Sequence, residues 1–235
     1  MSAASDRYEN EVAKAIDSIA EIKATRPSVS AAYADVLLQH EKYGKTWLEV
    51  KMNHTDNLGN PRVFYKDGKW QTTYKTPLAA YAVDLLNKDA QTKKWLSDIA
   101  KYTGIPLNSL KIPTTKGGLK EPGAVPLDIM KSYFNQPGVN RYIADKANVD
   151  LGKLVTEHYT TGKAEPAYYM QAGDDFYRIS NKDPFKVGVI VPLLGGKGNF
   201  KMRVSTRSQF YEVQAEIKIT KMPNSSFSLA PKTQK

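Results

Sequence analysis

Between residues 34 and 52 the chain writes two strands and the turn that joins them, and no other stretch constrains the fold as much. Ala34 to Gln39 (ADVLLQ) and Thr46 to Met52 (TWLEVKM) have the composition of strands, and Lys42-Tyr43-Gly44-Lys45 supplies the turn. Side chains alternate across a strand, so Leu48, Val50 and Met52 share one face while Glu49 and Lys51 project together from the other. Asp35 opens the neighbouring strand. Facing residues of an antiparallel pair lie about 5 Å apart, so its carboxylate can approach Glu49. Two carboxylates beside one ammonium suit a hard cation, and magnesium takes such oxygen ligands while keeping several waters.

The flanking sequence predicts an α/β protein. Asp6 caps a first helix with Glu9 three residues on, and Tyr8, Val12, Ala15, Ile16, Ile19 and Ala20 make one apolar stripe. Arg26-Pro27 ends it. A second hairpin, Arg62 to Tyr65 and Trp70 to Tyr74, flanks Lys66-Asp67-Gly68-Lys69. Thr76-Pro77 starts a helix that runs to Leu86, and Asp89 starts another that Gly104 stops. Pro106 to Pro126 is rich in Pro, Gly, Lys and Thr and reads as an exposed, mobile loop. Helical patterns run from Leu127 to Asn135 and from Val139 to about Tyr159. Ala167 to Met170, Phe176 to Ile179, Val187 to Leu194, Phe200 to Ser205 and Phe210 to Ile219 then read as strands. Among these, Val187-Gly-Val-Ile-Val is apolar enough for burial on both faces. The tail after Pro223 reads as loose. The expected architecture is a mixed central sheet flanked by helices, with a helical insertion and a β-rich C-terminal third.

Composition narrows function by exclusion. The 235 residues include no cysteine, which removes disulfides, thiolate zinc sites and a cysteine nucleophile and fits a reducing cytoplasm, the host's if the source is viral. No apolar run approaches the roughly 18 residues of a membrane span, and no signal core follows the N-terminus, so no membrane partner is expected. The three histidines are too scattered for a zinc triad. Lys and Arg number 34 against 24 Asp and Glu, a formal charge of +10, and nucleic acid is the commonest partner of such a surface. Lys outnumbers Arg by 27 to 7, which suits phosphate contact more than bidentate base reading.

In its order of helix, Asp-bearing strand, tight hairpin and Glu-x-Lys strand, the chain resembles the PD-(D/E)XK nuclease superfamily, Holliday-junction resolvases and phage-type endonucleases in particular. Glu11 in the first helix, Asp35, and Glu49-Val50-Lys51 carry the resemblance, over roughly residues 5 to 55; Ala34 stands where the family usually has proline. The resemblance implies a restriction-endonuclease-like core and a magnesium-dependent endonuclease, with manganese as a substitute, that hydrolyses DNA phosphodiester bonds in a phage or a bacterium. It implies Asp35 and Glu49 as metal ligands, with the Val50 carbonyl as a further oxygen. Lys51 would orient or help deprotonate the attacking water and stabilise the phosphate, and Glu11, with Glu9 as its substitute, would assist from the helix. A homodimer is expected because two strands must be cut. Lys45, Asn53, His54, Arg62, Lys66, Lys69 and Lys116 are the expected contacts to the nucleic acid. On this reading residues 1–105 hold the nuclease core and 106–165 a loop and helical insertion. Residues 166–222 form a β-rich part that can continue the same sheet, and 223–235 a flexible tail.

The tripeptide alone is weak, since Glu21-Ile22-Lys23 and Glu216-Ile217-Lys218 repeat it. The first falls within a helix pattern. The second lies on a late strand, with Asp174, Asp175 and Asp183 upstream, and is a rival site. Leu194-Gly-Gly-Lys-Gly-Asn199 lacks the phosphate-loop spacing and reads as a hairpin turn. A non-catalytic DNA-binding or virion-associated protein is the alternative function, and RNA in place of DNA stays open.

Overall fold

The computed structural model describes residues 3–18, 21–27, 33–188 and 190–225. In chain order the elements are α1 (Ala3–Asp17), β1 (Ile22–Thr25), β2 (Val36–His40), β3 (Gly44–Lys51), β4 (Arg62–Lys66), β5 (Lys69–Gln71), α2 (Pro77–Lys88) and α3 (Ala90–Thr103). There follow α4 (Leu127–Phe134), β6 (Tyr142–Asp150), α5 (Gly152–Thr161), β7 (Ala167–Ala172), β8 (Asp175–Arg178), β9 (Lys197–Thr206) and β10 (Tyr211–Ile219). The protein is therefore α/β, and among the described residues no helix is long and apolar enough to cross a membrane. Contacts divide it into a first unit of residues 1–56, 150–198 and 219–235 and a second of 57–149 and 199–218. These boundaries differ from the sequence-based cuts near residues 105 and 165, because both units are assembled from separated stretches of chain.

The first unit is built on a five-stranded sheet in the order β1-β2-β3-β7-β8. β1, β2 and β3 are antiparallel neighbours, β7 lies parallel to β3, and β8 returns antiparallel to β7. A parallel neighbour needs a crossover connection, and α5 is the helix that ends it. The β3 alternation places Leu48 and Val50 in a core with Val36, Leu38 and Tyr169, under Tyr8, Val12, Ala13 and Ile16 of α1, with Met52 at its margin.

Helix α1 begins at Ala3, before the expected cap at Asp6. Asp6 and Glu9 instead both bind Arg26, at 2.7 Å from Nη2 and 2.9 Å from Nε respectively, which ties α1 to the residue after β1. Ile19 and Ala20 of the predicted stripe lie outside the described residues. Glu21-Ile22-Lys23 is not helical. The helix stops at Asp17, whose Oδ1 accepts from Ala24 N–H at 3.1 Å, and β1 then pairs Ile22 with His40.

Two further corrections belong to this unit. Among the described residues, Val187 to Leu194 forms no strand beyond an isolated parallel bridge between Leu193 and Arg178. Asp183 holds the segment as a loop by accepting from Gly188 N–H at 2.6 Å and from the Tyr169 hydroxyl at 2.6 Å, while Val191 N–H donates to Val187 O at 3.0 Å. Local partners thus satisfy the backbone that a sheet would otherwise have to pair. The expected helix from Val139 instead begins only at Gly152.

The second unit carries an antiparallel sheet in the order β5-β4-β10-β9-β6. Its first hairpin turns at Asp67 and Gly68, both at positive φ (54° and 75°), the geometry that suits the right-handed strand twist. Thr76 caps α2 through Ala79 N–H at 3.3 Å, and Asp89 caps α3 through Thr92 N–H at 2.8 Å. The 106–126 segment is fixed rather than mobile. Leu110, Ile112, Ala124 and Val125 are buried, and Ile112 exchanges hydrogen bonds of 2.9 and 3.0 Å with Tyr65. Residues 142–150, expected as helix, form the edge strand β6, because pairing in a sheet outweighs a weak helical pattern.

Arg26 and Glu9 are 15% and 4% exposed, so removing the guanidinium leaves an uncompensated charge inside the α1 interface. Arg26→Ala should lose about 3 kcal/mol in urea unfolding. Arg26→Ala with Glu9→Gln should recover most of it, and an additive double variant would show that the pair is not coupled.

Candidate active site

Asp35 stands one residue before β2. Its N–H donates to Leu48 O at 3.1 Å although Val36 is the register partner of Leu48, so two residues face one, as in a β-bulge. Such a step re-aims a side chain, and Asp35 Oδ2 accepts from Val50 N–H at 2.8 Å. The N–H and C=O of a strand residue point to the same edge, so the Val50 carbonyl also faces the Asp35 side. On the sheet face away from α1, Lys51 Nζ lies 2.6 Å from Glu49 Oε1. Lys163 follows α5, with its ammonium 4.0 Å from Glu49 Oε2. Tyr159 and His158 of α5 are buried beside this pair.

Burial alone would neutralise Glu49, yet the Lys51 ammonium, aided by Lys163, holds its carboxyl below the usual range. Burial likewise lowers Lys51, and the Glu49 charge outweighs it, so the ammonium is kept above its ordinary pKa. A role as the deprotonated base is thereby disfavoured, and a role as a fixed cation is favoured. Asp35 is pushed up to about 7, first by burial and then by the charge of Glu49. His158 is drawn down to about 4 by burial and by Lys163, so it is neutral near pH 7.

The donor set fits a hard divalent cation. The Asp35 carboxyl is raised by burial and then by a neighbouring carboxylate, an effect an added cation would oppose, and Glu49 Oε2 is buried without a hydrogen bond of ordinary geometry. Among the described residues no three His, Cys, Asp or Glu side chains converge on one point. Two carboxylates and a carbonyl are still enough for magnesium, which fills its other positions with water.

Glu11 is exposed on α1, whereas Glu9 is buried. The inward stripe is Tyr8, Glu9, Val12, Ala13 and Ile16, so Glu9 shares a face with Ala13 and Ile16 and Glu11 does not. The Glu9 charge acts on Asp35, though its oxygens are engaged by Arg26 and by the Ser5 hydroxyl at 3.0 Å. The rival Glu216 pairs with Arg203 at 3.1 Å in the second unit, while Asp174, Asp175 and Asp183 belong to the first.

The seven expected nucleic-acid contacts are split. Lys45, Asn53 and His54 belong to the first unit. Lys45 lies at the far end of β3, 3.6 Å from Glu165, and Asn53 N–H bonds Asp56 at 3.1 Å. His54 Nε2 lies 2.8 Å from Asp175, and its ring packs so closely on the β7–β8 turn that a side chain at Gly173 (φ +54°) would meet it at 3.3 Å. Arg62, Lys66, Lys69 and Lys116 belong to the second unit. That unit has 18 Lys and Arg against 9 Asp and Glu, net +9, leaving 16 against 15, net +1, for the unit with Asp35 and Glu49.

Sequence reading missed Tyr159, His158 and Lys163. An apolar pattern with one His and one Lys carries no mark of a site, and only the crossover onto β3 brings them there. A surface cavity of this unit, about 600 Å³, lies at the opposite end of the hairpin, between Asp17, Glu21, His40 and Lys45, and holds none of the catalytic candidates. Comparison with protein-family models, with curated proteins and with solved structures finds no match to the chain.

A carboxyl with a raised native pKa binds its proton more tightly in the folded chain. The stability it confers is therefore complete below about pH 4 and lost as pH rises to about 7. His158 acts oppositely between its native value of about 4 and its unfolded value of about 6.5. Comparison with Asp35→Asn isolates the carboxyl. Relative to that variant, the metal-free protein should lose stability between pH 4 and 7, on the order of 4 kcal/mol at most. In thermal melts magnesium should raise Tm more at pH 8 than at pH 6 and leave Asp35→Asn nearly unmoved. Equal shifts in both proteins would exclude Asp35 as a ligand.

Proposed function

We propose that the protein is a metal-dependent endonuclease that hydrolyses DNA phosphodiester bonds, with the first unit as a restriction-endonuclease-like core. The observation that carries this reading is the set of buried Glu49 and half-buried Asp35 and Lys51 at neighbouring strands, with the Asp35 carboxyl raised by burial and then by the Glu49 charge. The order of elements supports it. A helix bearing a buried Glu, a short strand, an Asp at the start of the next strand and a Glu-x-Lys strand follow one another.

A magnesium ion held by Asp35, Glu49 and the Val50 carbonyl would supply Lewis acidity toward a phosphate oxygen and an attacking water. The chain's own residues do the remainder. Lys51, kept cationic by Glu49, orients the water and stabilises charge on the phosphate in the transition state. Lys163, with its ammonium near Glu49 Oε2, adds a second positive charge. Neutral His158 and Tyr159 fill the wall behind the carboxylates and limit water there. Cutting both strands of a duplex would require two copies, and a homodimer belongs to the proposal.

The second reading, a non-catalytic DNA-binding protein, is favoured by the concentration of net charge (+9) in the unit without the carboxylate set. Cleavage separates the two. Supercoiled plasmid and a four-way junction should be cut by the wild type with magnesium or manganese and not with EDTA. Lys51→Ala and Asp35→Asn should each lose about 100-fold or more in rate. Asp35→Asn removes a strained carboxyl and should stay folded, so its inactivity cannot be ascribed to unfolding. Binding with a steep salt dependence and no cleavage under any metal would leave the binding protein.

A further inference from the structure

The second unit carries a groove that the carboxylate site does not use. It is a cavity of about 370 Å³ between β4, residues 73–74 and the 111–121 segment. Its cations are Arg62, Lys66 and Lys111, and each shares its carboxylate with another cation. Glu121 takes Lys66 at 3.0 Å and Lys111 at 3.1 Å. Glu212, 3% exposed, takes Arg62 at 2.9 Å and Arg207 at 3.0 Å. Two cations on one carboxylate leave each cluster one positive charge in excess. The buried Glu212 also fixes the two guanidiniums beforehand, so they lose less freedom when an anion docks.

An aromatic ring completes the groove. Tyr74 is 45% exposed at its edge, with Phe64 and Tyr65 along the wall. The tyrosine is anchored. Its N–H donates to Thr72 Oγ1 at 3.2 Å, and that hydroxyl donates to Arg62 O at 2.8 Å on β4. An exposed ring on an anchored backbone beside several cations is the combination that grips an unpaired nucleotide strand, whose backbone is anionic and whose bases have open faces. A duplex offers the backbone but stacks its bases internally. An acidic peptide satisfies the cations and leaves the ring without a partner.

We propose that this groove binds single-stranded nucleic acid, with Arg62, Lys66 and Lys111 on phosphates and Tyr74 stacked on a base. The proposal rests on the nuclease reading only in taking nucleic acid as the ligand; the groove itself stands on its own charges and ring. It makes the inserted unit the part that selects unpaired strand, as displaced ends, gaps and branch points present it.

The test uses the full chain in EDTA, so that binding is read without cleavage. Fluorescence anisotropy would follow a labelled oligothymidylate of about 12 nucleotides, a duplex of the same length and a polyglutamate peptide, over about 50 to 200 mM salt. The single strand should bind tightest. Tyr74→Ala should weaken it about tenfold and leave the duplex unchanged, while Tyr74→Phe retains the affinity. Lys66→Ala and Lys111→Ala should each lower the salt slope by about 0.7. Wild-type affinity in Tyr74→Ala, or equal binding of duplex or polyglutamate, would overturn the proposal. A Tyr74 effect without cleavage in any metal would keep the groove and remove the enzyme, and cleavage without a Tyr74 effect would do the reverse.

Discussion

The contact on which the first unit depends is the buried ion pair between Lys51 and Glu49 in the middle of its sheet. Taking two charges out of water costs several kcal/mol for each ion, and attraction offsets this only with close geometry and further partners. Lys51 is committed to Glu49 at 2.6 Å, and Arg26 is committed to Glu9 and Asp6. Asp35 is left with a single backbone N–H and the distant part of the Lys51 charge, which does not balance burial and the repulsion of Glu49. A proton on Asp35, or an added cation beside it, would relieve that repulsion. A carboxyl held in this state beside a second carboxylate is what the proposed metal site calls for.

The connection from β3 to β7 explains how one chain carries two units. The strand that bears Glu49 and Lys51 ends, and the second unit begins at Asn57, within the crossover that a parallel neighbour requires. Extending a connection costs chain entropy only slowly with length, so the crossover can absorb residues 57–149, the larger part of the second unit, while residues 199–218 join that unit after β8. It returns through α5, and α5 is also the element that brings His158, Tyr159 and Lys163 to the buried pair. The stretch 57–149 therefore leaves the first unit's sheet intact, because the helix that completes the crossover comes after it.

What the sequence revealed and what it hid follow from the range of the forces involved. Alternation in Trp47 to Met52, the Asp67-Gly68 turn and the caps at Thr76 and Asp89 are local, and each forms as its residues dictate. Tertiary contacts decided the rest. Val187 to Val191 is apolar enough for a strand, but Asp183 and Tyr169 hold its backbone as a loop. Residues 142–150 pair at a sheet edge in spite of a helical pattern, and the Pro- and Gly-rich 106–126 segment is ordered by Tyr65 across the chain. Glu9 and Glu11 could not be told apart until the start of α1 was known, since moving that start rotates the whole stripe.

The division of charge bears on how such a site would meet its substrate. A centre made of carboxylates repels a phosphate backbone, and a unit with net charge +1 offers no long-range attraction to offset that. Salt screens exposed charges beyond about 8 Å at physiological strength, so capture must come from cations that touch the polyanion. The second unit supplies those cations in shared clusters, where each carboxylate positions two of them without cancelling both. Binding and chemistry are thereby given opposite electrostatics. The groove carries excess positive charge before any ligand arrives, while at the carboxylate site, under the nuclease reading, a metal would supply the further charge that favours an ionised Asp35.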